Sequence, residues 1–167
     1  MKTPILAIAR ILFLTLLFGA AAGVRAAPVN NAAALSGLKS AKAVFLINSA
    51  NPRKVAHVLR LVGKTAASMD RQGVKTRVVV VVIGSAVAFL TKNRRGISYQ
   101  DQRPVAEIQK VVRGLRKDGI RTEACNVALH GHDINPRAVI PSVHVVGNGF
   151  ISAIAYQQKG YSLVPVY

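Results

Sequence analysis

The sequence predicts an α/β fold with a mostly parallel sheet, and three observations lead to this prediction. Short runs of apolar and β-branched residues recur along the chain, as in strands that are buried on both faces. Between them lie segments whose apolar residues recur at every third or fourth position, as in amphipathic helices. The two kinds of segment alternate, which is typical of parallel sheets with helical crossovers.

The first strand and the first helix are predicted at residues 42–48 and from Pro52 to Gln72. The strand is the apolar run KAVFLIN. Proline is favoured in the first turn of a helix, and the glycine that follows Gln72 suits a helix end. Between these ends the apolar residues keep helical spacing, at Val55, Val58, Leu59, Val62, Ala66 and Met69.

The middle of the chain predicts a second strand and two further helices. The strand covers residues 75–83, and a Gly-Ser turn leads from it into a helix at residues 86–92. A polar, basic connection at residues 92–103 then precedes an amphipathic helix at residues 104–117. The apolar face of that helix consists of Val105, Ile108, Val112 and Leu115.

The last third of the chain completes the alternation. Three short strands are predicted, at residues 120–124, 142–146 and 161–166. Helical segments are predicted between them, at residues 126–130, 136–140 and 150–159. The five strands and their helices form one domain, which we assign to residues 42–167.

The N-terminus has the features of a secretory signal peptide. Lys2 and Arg10 precede an apolar run at residues 11–22, and Val24 and Ala26 are the small residues that a cleavage site needs. The alternative is a membrane anchor, but a spanning helix needs about 20 apolar residues. We therefore expect cleavage after Ala26 and export to the periplasm or the exterior.

The expected domain organisation follows from this cleavage site. Residues 1–26 form the signal peptide, residues 27–41 a loose lead-in, and residues 42–167 the folded domain. No stable membrane anchor is expected.

The composition is strongly basic, with 23 Lys and Arg against 6 Asp and Glu and a net charge of +17. An apolar content of 51% excludes intrinsic disorder. The basic residues are densest at residues 92–103 and 110–121, but no nucleic-acid-binding motif accompanies them and few aromatic residues lie among them. We expect solvated helix faces and no nucleic-acid partner.

Cys125 is the only cysteine, which excludes an intramolecular disulfide and a zinc site of four cysteines. It follows a predicted strand and precedes a predicted helix, so it lies where functional groups of parallel sheets gather. Helix amides and a positive field favour a nucleophilic thiolate. The alternative is a buried, inert cysteine with a structural role.

His130 and His132 suggest a metal site or an acid/base cluster with Cys125, although their spacing matches no standard zinc motif. The alternative is a solvated loop with two polar histidines. The Gly-Ser and Gly-Asn-Gly turns that follow two strands suit either anion binding or ordinary connections. No nucleotide motif, catalytic triad or carboxylate pair is found, so no cofactor is expected.

The segment at residues 42–166 resembles the DsrE/DsrF-like family, most closely its exported branch. The matching features are the opening KAVFLINSANPRKVAHVLRLVGKTAASM with Asn48 at the strand end, the GI-x-x-x-ACN element at residues 119–126, and the VV-x-NG and YQQKGY elements that follow. Residues 126–129 depart from that branch, which usually has a glycine and a threonine-containing turn after the cysteine.

The resemblance implies a three-layer α/β/α fold with a five-stranded sheet, assembled into homo-oligomers such as trimers or hexamers. It also implies a sulfur carrier that holds a persulfide on Cys125 and exchanges sulfur with a partner protein or a small sulfur compound. Any enzymatic activity would be sulfur transfer, rather than hydrolysis or oxidoreduction. Further residues expected at the site are Asn126, His130 and Arg121 as supports and Asn48 and Gly149 in binding.

The alternative function is a non-catalytic module for assembly or for binding a small ligand, an anion or a metal. In that case Cys125 is structural.

Overall fold

The five predicted strands form one sheet in a computed structural model that describes residues 29–93 and 96–167. The strands are β1 (Ser40–Ile47), β2 (Lys75–Val82), β3 (Arg121–Cys125), β4 (His144–Val146) and β5 (Ser162–Val166). Their order is β4-β3-β2-β1-β5, and all neighbouring pairs are parallel. The predicted parallel sheet is confirmed. The predicted signal peptide, residues 1–26, lies outside the described residues.

Helices connect the strands in the predicted order. They are α1 (Ala32–Leu35), α2 (Pro52–Arg71), α3 (Tyr99–Lys117), α4 (Asn126–Gly131) and α5 (Gly149–Gln158), together with 3-10 helices at Gly84–Leu90 and Pro136–Ala138. The short α1 lies within the segment predicted to be a loose lead-in. In α2, the Asn51 side chain caps the start by accepting from the Arg53 and Lys54 amides.

The central strands β1, β2 and β3 are buried on both faces over their carboxyl halves, because their apolar side chains alternate between two cores. One core joins α2, α3 and α4 to the sheet through residues such as Leu59, Ile108 and Leu129. The other lies under α5 and contains Val44, Val81, Cys125 and Ala153, among others. The predicted three-layer α/β/α architecture is therefore confirmed. Full burial of a side chain such as Leu59 contributes about 1.5–3 kcal/mol.

The helix predicted at residues 104–117 begins five residues earlier, at Tyr99. Pro104 lies inside α3 and has no N–H for the carbonyl of Gln100 one turn before it. The Arg53 guanidinium of α2 donates to that carbonyl at 3.2 Å and also pairs with Asp101 at 3.2 Å. The helix continues through the proline because another helix supplies the missing donor.

A 3-10 helix at Gly84–Leu90 replaces the α-helix predicted at residues 86–92. The buried Gln109 amide donates to the carbonyls of Phe89 at 3.2 Å and Thr91 at 2.8 Å. Thr91 is extended and forms a bridge with Val139. Because the carbonyls at the end of the 3-10 helix already accept hydrogen bonds from Gln109, no further helical turn forms.

The amino end of β2 extends beyond its neighbour β3. Arg121, the first residue of β3, pairs with Val79, so residues 75–78 of β2 have a strand partner only in β1. The Asp70 carboxylate accepts from the Thr76 amide at 3.0 Å and from the Thr76 hydroxyl at 3.1 Å. The Asp70 side chain, in the last turn of α2, therefore supplies a hydrogen-bond acceptor for the Thr76 amide at an edge of β2 that β3 does not reach.

Within the described residues, no helix combines the length and the apolar character that crossing a membrane requires.

Replacing Gly84 by alanine should lower the free energy of unfolding by about 1–3 kcal/mol. Gly84 has a φ of +57°, and an added Cβ would collide with Oδ1 of Asn48. Gly160→Ala is the matched control, since Gly160 has a φ of +81° and open space around it. Urea unfolding should show the larger loss for Gly84→Ala. Equal losses at the two glycines would contradict a role for the Asn48 contact.

Candidate functional site

Cys125 lies at the carboxyl edge of the sheet, where two crossovers leave on opposite faces. It is the last residue of β3 and the N-cap of α4, and α4 packs on the face of the sheet that also carries α2 and α3. The neighbouring strand β4 continues into α5 on the other face. Ligand sites of open parallel sheets lie at such points. The predicted position of Cys125 between a strand and a helix is confirmed.

The Cys125 side chain itself is buried, with 4% of its surface exposed. It belongs to the core under α5, together with Val81, Ile83 and Ala153. Gly149 closes this core, because a Cβ at that position would lie 3.1 Å from Cys125 Cβ and 2.6 Å from Ile83 Cγ2. Only glycine allows the first turn of α5 to approach the cysteine so closely.

The Gly-Asn-Gly turn between β4 and α5 is held from two sides. Asn148 caps α5 by accepting from the Phe150 amide at 2.9 Å. The carbonyl of Gly147 accepts from the Val127 amide of α4 at 3.2 Å. These bonds connect the starts of the two helices that flank Cys125 and hold the turn over the thiol.

The structure brings two of the predicted site residues next to Cys125. Gly149 packs against it, and Asn126 follows it as the first residue of α4. The Asn126 side chain is half-buried, and its Oδ1 lacks a partner within the described part of the chain. These two residues form the immediate surroundings of the cysteine, together with the apolar core under α5.

The other predicted residues lie apart from Cys125. His130 is in the last turn of α4 and His132 just beyond it, both exposed. Arg121 is at the opposite end of β3 and bonds to Glu123. Asn48 is exposed at the end of β1, and its amide donates to the carbonyl of Val166 at 2.8 Å.

The metal site considered for Cys125, His130 and His132 is not found. Across residues 29–93 and 96–167, no three His, Cys, Asp or Glu side chains come together in a way that would hold a metal ion. The histidines lie at the far end of α4, one helix length from the cysteine at its start.

Glu123 is a buried acid that no sequence motif singles out. It lies two residues before Cys125 on the same face of β3, and only 3% of its surface is exposed. Its Oε1 accepts from Arg121 Nε at 2.7 Å and from the Tyr156 hydroxyl of α5 at 2.9 Å. Its Oε2 is buried with no partner among the described residues. An acid at an inward position of a strand was the available signal.

This arrangement raises the pKa of Tyr156 to about 12. Burial of the phenol is the largest cause, and the hydrogen bond to the Glu123 carboxylate is the next. Both favour the neutral phenol, so Tyr156 remains a hydrogen-bond donor to Glu123.

The Tyr156 phenol should therefore ionise near pH 12 rather than at its ordinary value of 10. The raised pKa contributes stability that is fully present below pH 10 and is lost as the pH rises through 12. The ultraviolet absorbance of phenolate, measured against Tyr156→Phe, isolates this tyrosine. Glu123→Gln should move the transition toward lower pH. A phenolate signal from Tyr156 near pH 10 in folded protein would contradict the buried contact.

The fold resembles that of a solved structure. A protein of unknown function from Methanobacterium thermoautotrophicum, MTH1491, superimposes with a TM-score of 0.57 at 18% identity, over 75% of this chain and 98% of its own. At that identity the likeness concerns the fold. The ychN protein from E. coli gives a TM-score of 0.49 at 18% identity, over 78% of this chain and 99% of its own.

Comparisons of sequence identify the family. An uncharacterized protein from Aquifex aeolicus is 26% identical over 108 residues, which are 64% of this chain and 48% of the relative. The match thus spans about half the length of that relative. The model of the DsrE/DsrF-like family matches residues 23–166, which include all five strands. The chain therefore belongs to the DsrE/DsrF-like family.

Proposed function

We propose that this protein is exported and carries sulfane sulfur as a persulfide on Cys125. The observation that carries the proposal is the position of Cys125 at the carboxyl edge of the sheet, between the starts of α4 and α5. Membership of the DsrE/DsrF-like family supports it. Asn126, the first residue of α4, is the nearest polar side chain along the chain to support the sulfur anion.

The transfer consists of two displacements at sulfur. The Cys125 thiolate attacks the outer sulfur of a donor persulfide, a bond forms between Sγ and that sulfur, and the donor leaves as a thiolate. An acceptor thiolate then attacks the outer sulfur of the Cys125 persulfide, and the bond to Sγ breaks. Cys125 returns to its thiolate, so the cycle needs no external oxidant or reductant.

The cysteine count fits a carrier. A persulfide next to a second thiol of the same chain is readily resolved into a disulfide, with loss of the outer sulfur. This chain has one cysteine, so that reaction has no internal partner. The outer sulfur then leaves only to a second molecule, which is what a carrier requires.

The burial of Cys125 sets a condition on this chemistry. The first turn of α5 covers the thiol through Gly149, so a donor reaches it only when the turn at residues 147–149 moves. The same cover shields a bound persulfide from bulky thiols. If this movement does not occur, Cys125 is a structural core residue and the alternative function holds.

Incubation with inorganic polysulfide should add about 32 Da, one sulfur atom, to the native protein. Intact mass spectrometry should show this gain, its loss in Cys125→Ser, and its removal by dithiothreitol. The urea-unfolded protein is the control for the reagent, because its thiol is fully exposed. An adduct on the unfolded protein but none on the native protein would overturn the proposal and favour a structural cysteine.

We propose in addition that the protein self-associates through α5. This helix has no charged residue, and Phe150, Ile151 and Ile154 on it are 56%, 64% and 59% exposed. Apolar helices of this kind are usually buried. The partner that fits is a second copy of the chain, because copies of so basic a chain repel each other least at an uncharged surface. The homo-oligomer implied by the family resemblance agrees with this assignment.

Ile151→Lys should weaken self-association, because it places a cation in the middle of the proposed contact. Sedimentation velocity should show wild-type trimers or hexamers and a shift of Ile151→Lys toward monomer. Leu61→Lys is the matched control, since Leu61 is 43% exposed on α2, on the opposite face of the sheet. A wild-type protein that remains monomeric at high micromolar concentration would overturn the assignment.

A further inference from the structure

We propose that a polar cavity at the amino edge of the sheet binds a small dipolar molecule that carries both an ammonium group and a carboxylate. The cavity has a volume of about 430 Å³, within the roughly 300–1,000 Å³ of small-molecule sites. It lies at the end of β3 opposite to Cys125, between the amino ends of β2 and β3 and the last turns of α2 and α3. The proposal is therefore independent of sulfur transfer.

The cavity exists because β3 begins later than β2. The edge of β2 at residues 76–78 lines it in place of a strand neighbour. Small side chains on α2, at Gly63, Ala66 and Ala67, leave the space unfilled. The site is thus a gap in the sheet that the fold itself leaves open.

One wall of the cavity is negative. It contains Asp70 in the last turn of α2 and Asp118 at the C-cap of α3. The negative ends of two helix dipoles meet at this wall, where a carboxylate is unfavourable and a cation is stabilised. The Thr76 amide and hydroxyl hold Asp70 in place. An ammonium group is the complement of this wall.

The other wall is positive and partly aromatic. Arg121 pairs with Val79 in the sheet, so Arg77, two residues before Val79, lies on the same face of the sheet as Arg121. Tyr156 and Tyr161 line the same wall, with their rings edge to face at 5.0 Å. A carboxylate is the complement of the Arg77 guanidinium, since Arg121 already pairs with Glu123, and an apolar or flat group fits the tyrosine rings.

Glu123 holds this wall in place from behind. Its Oε1 bonds to both Arg121 and Tyr156, so two lining side chains are fixed before any ligand arrives. Its Oε2 is fully buried and lacks a donor among the described residues.

The two walls do not neutralise each other. The ion pairs found within the described ranges are Arg53–Asp101, Arg60–Glu107 and Arg121–Glu123, so none includes Arg77 or Asp118. A purely anionic ligand would be repelled by one wall and a purely cationic ligand by the other. A dipolar molecule pairs with both walls, which is why we assign this class, represented by an amino acid or a dipeptide.

Calorimetric titration of the full chain with the dipeptide glycyl-phenylalanine tests the assignment. We expect saturable binding, weakened at least about tenfold by N-acetylation or by amidation of the dipeptide. Asp118→Asn should weaken binding of the free dipeptide but not of the acetylated one. Arg77→Gln should weaken binding of the free dipeptide but not of the amide.

Matched controls separate the site from general charge effects. Asp133→Asn and Arg113→Gln make the same changes outside the cavity and should leave the affinity unchanged. Thermal unfolding of each variant excludes loss of the fold as the cause of weaker binding. The assignment is overturned if the free dipeptide shows no saturable binding at millimolar concentration, if all three peptides bind equally, or if the control variants weaken binding as much as the cavity variants.

Discussion

The close approach of α5 to the sheet is the constraint on which burial of one face of the sheet depends, the face opposite to α2 and α3. At Gly149 no side chain fits between the helix and the atoms of Ile83 and Cys125, and Ala153 one turn later is also buried. Two small residues one turn apart thus let the helix lie directly on the strands. Val44, Val81 and Cys125 are buried as a result. Within residues 32–167, α5 is the helix that completes the third layer.

The same helix connects the chemistry at the two ends of β3. Its first turn covers Cys125, and its last turn contains Tyr156, which bonds to Glu123. Ten residues of α-helix span about 15 Å, which is close to the length of a five-residue strand. A displacement of the whole of α5 that exposes the thiol would therefore also disturb the Glu123–Tyr156 bond. The helix whose first turn covers Cys125 thus also contributes Tyr156 to one wall of the cavity at the other end of β3.

Local periodicity was enough to predict the order of the strands and helices. The parallel sheet, the extent of α2 and the position of Cys125 all follow from residues that are neighbours along the chain or one turn apart. The predicted start of α3, at Pro104, was wrong because the donor that replaces the N–H of this proline is on α2. The hydrogen-bond partners of Glu123 and the choice between an accessible and a buried Cys125 could not be predicted for the same reason, since both depend on where α5 lies. Contacts between elements distant in sequence leave no periodic signal.

The hydrogen bond from Arg53 to the carbonyl of Gln100 has a consequence for how this family can vary. Pro104 leaves that carbonyl without its helical partner, and Arg53 supplies the replacement donor from another helix. The two positions thus form a coupled pair, although neither is near the cysteine or the cavity. A chain without the proline regains an internal helical bond, and Arg53 then keeps its pair with Asp101. Loss of Arg53 should therefore destabilise α3 less in a chain whose residue 104 is not proline.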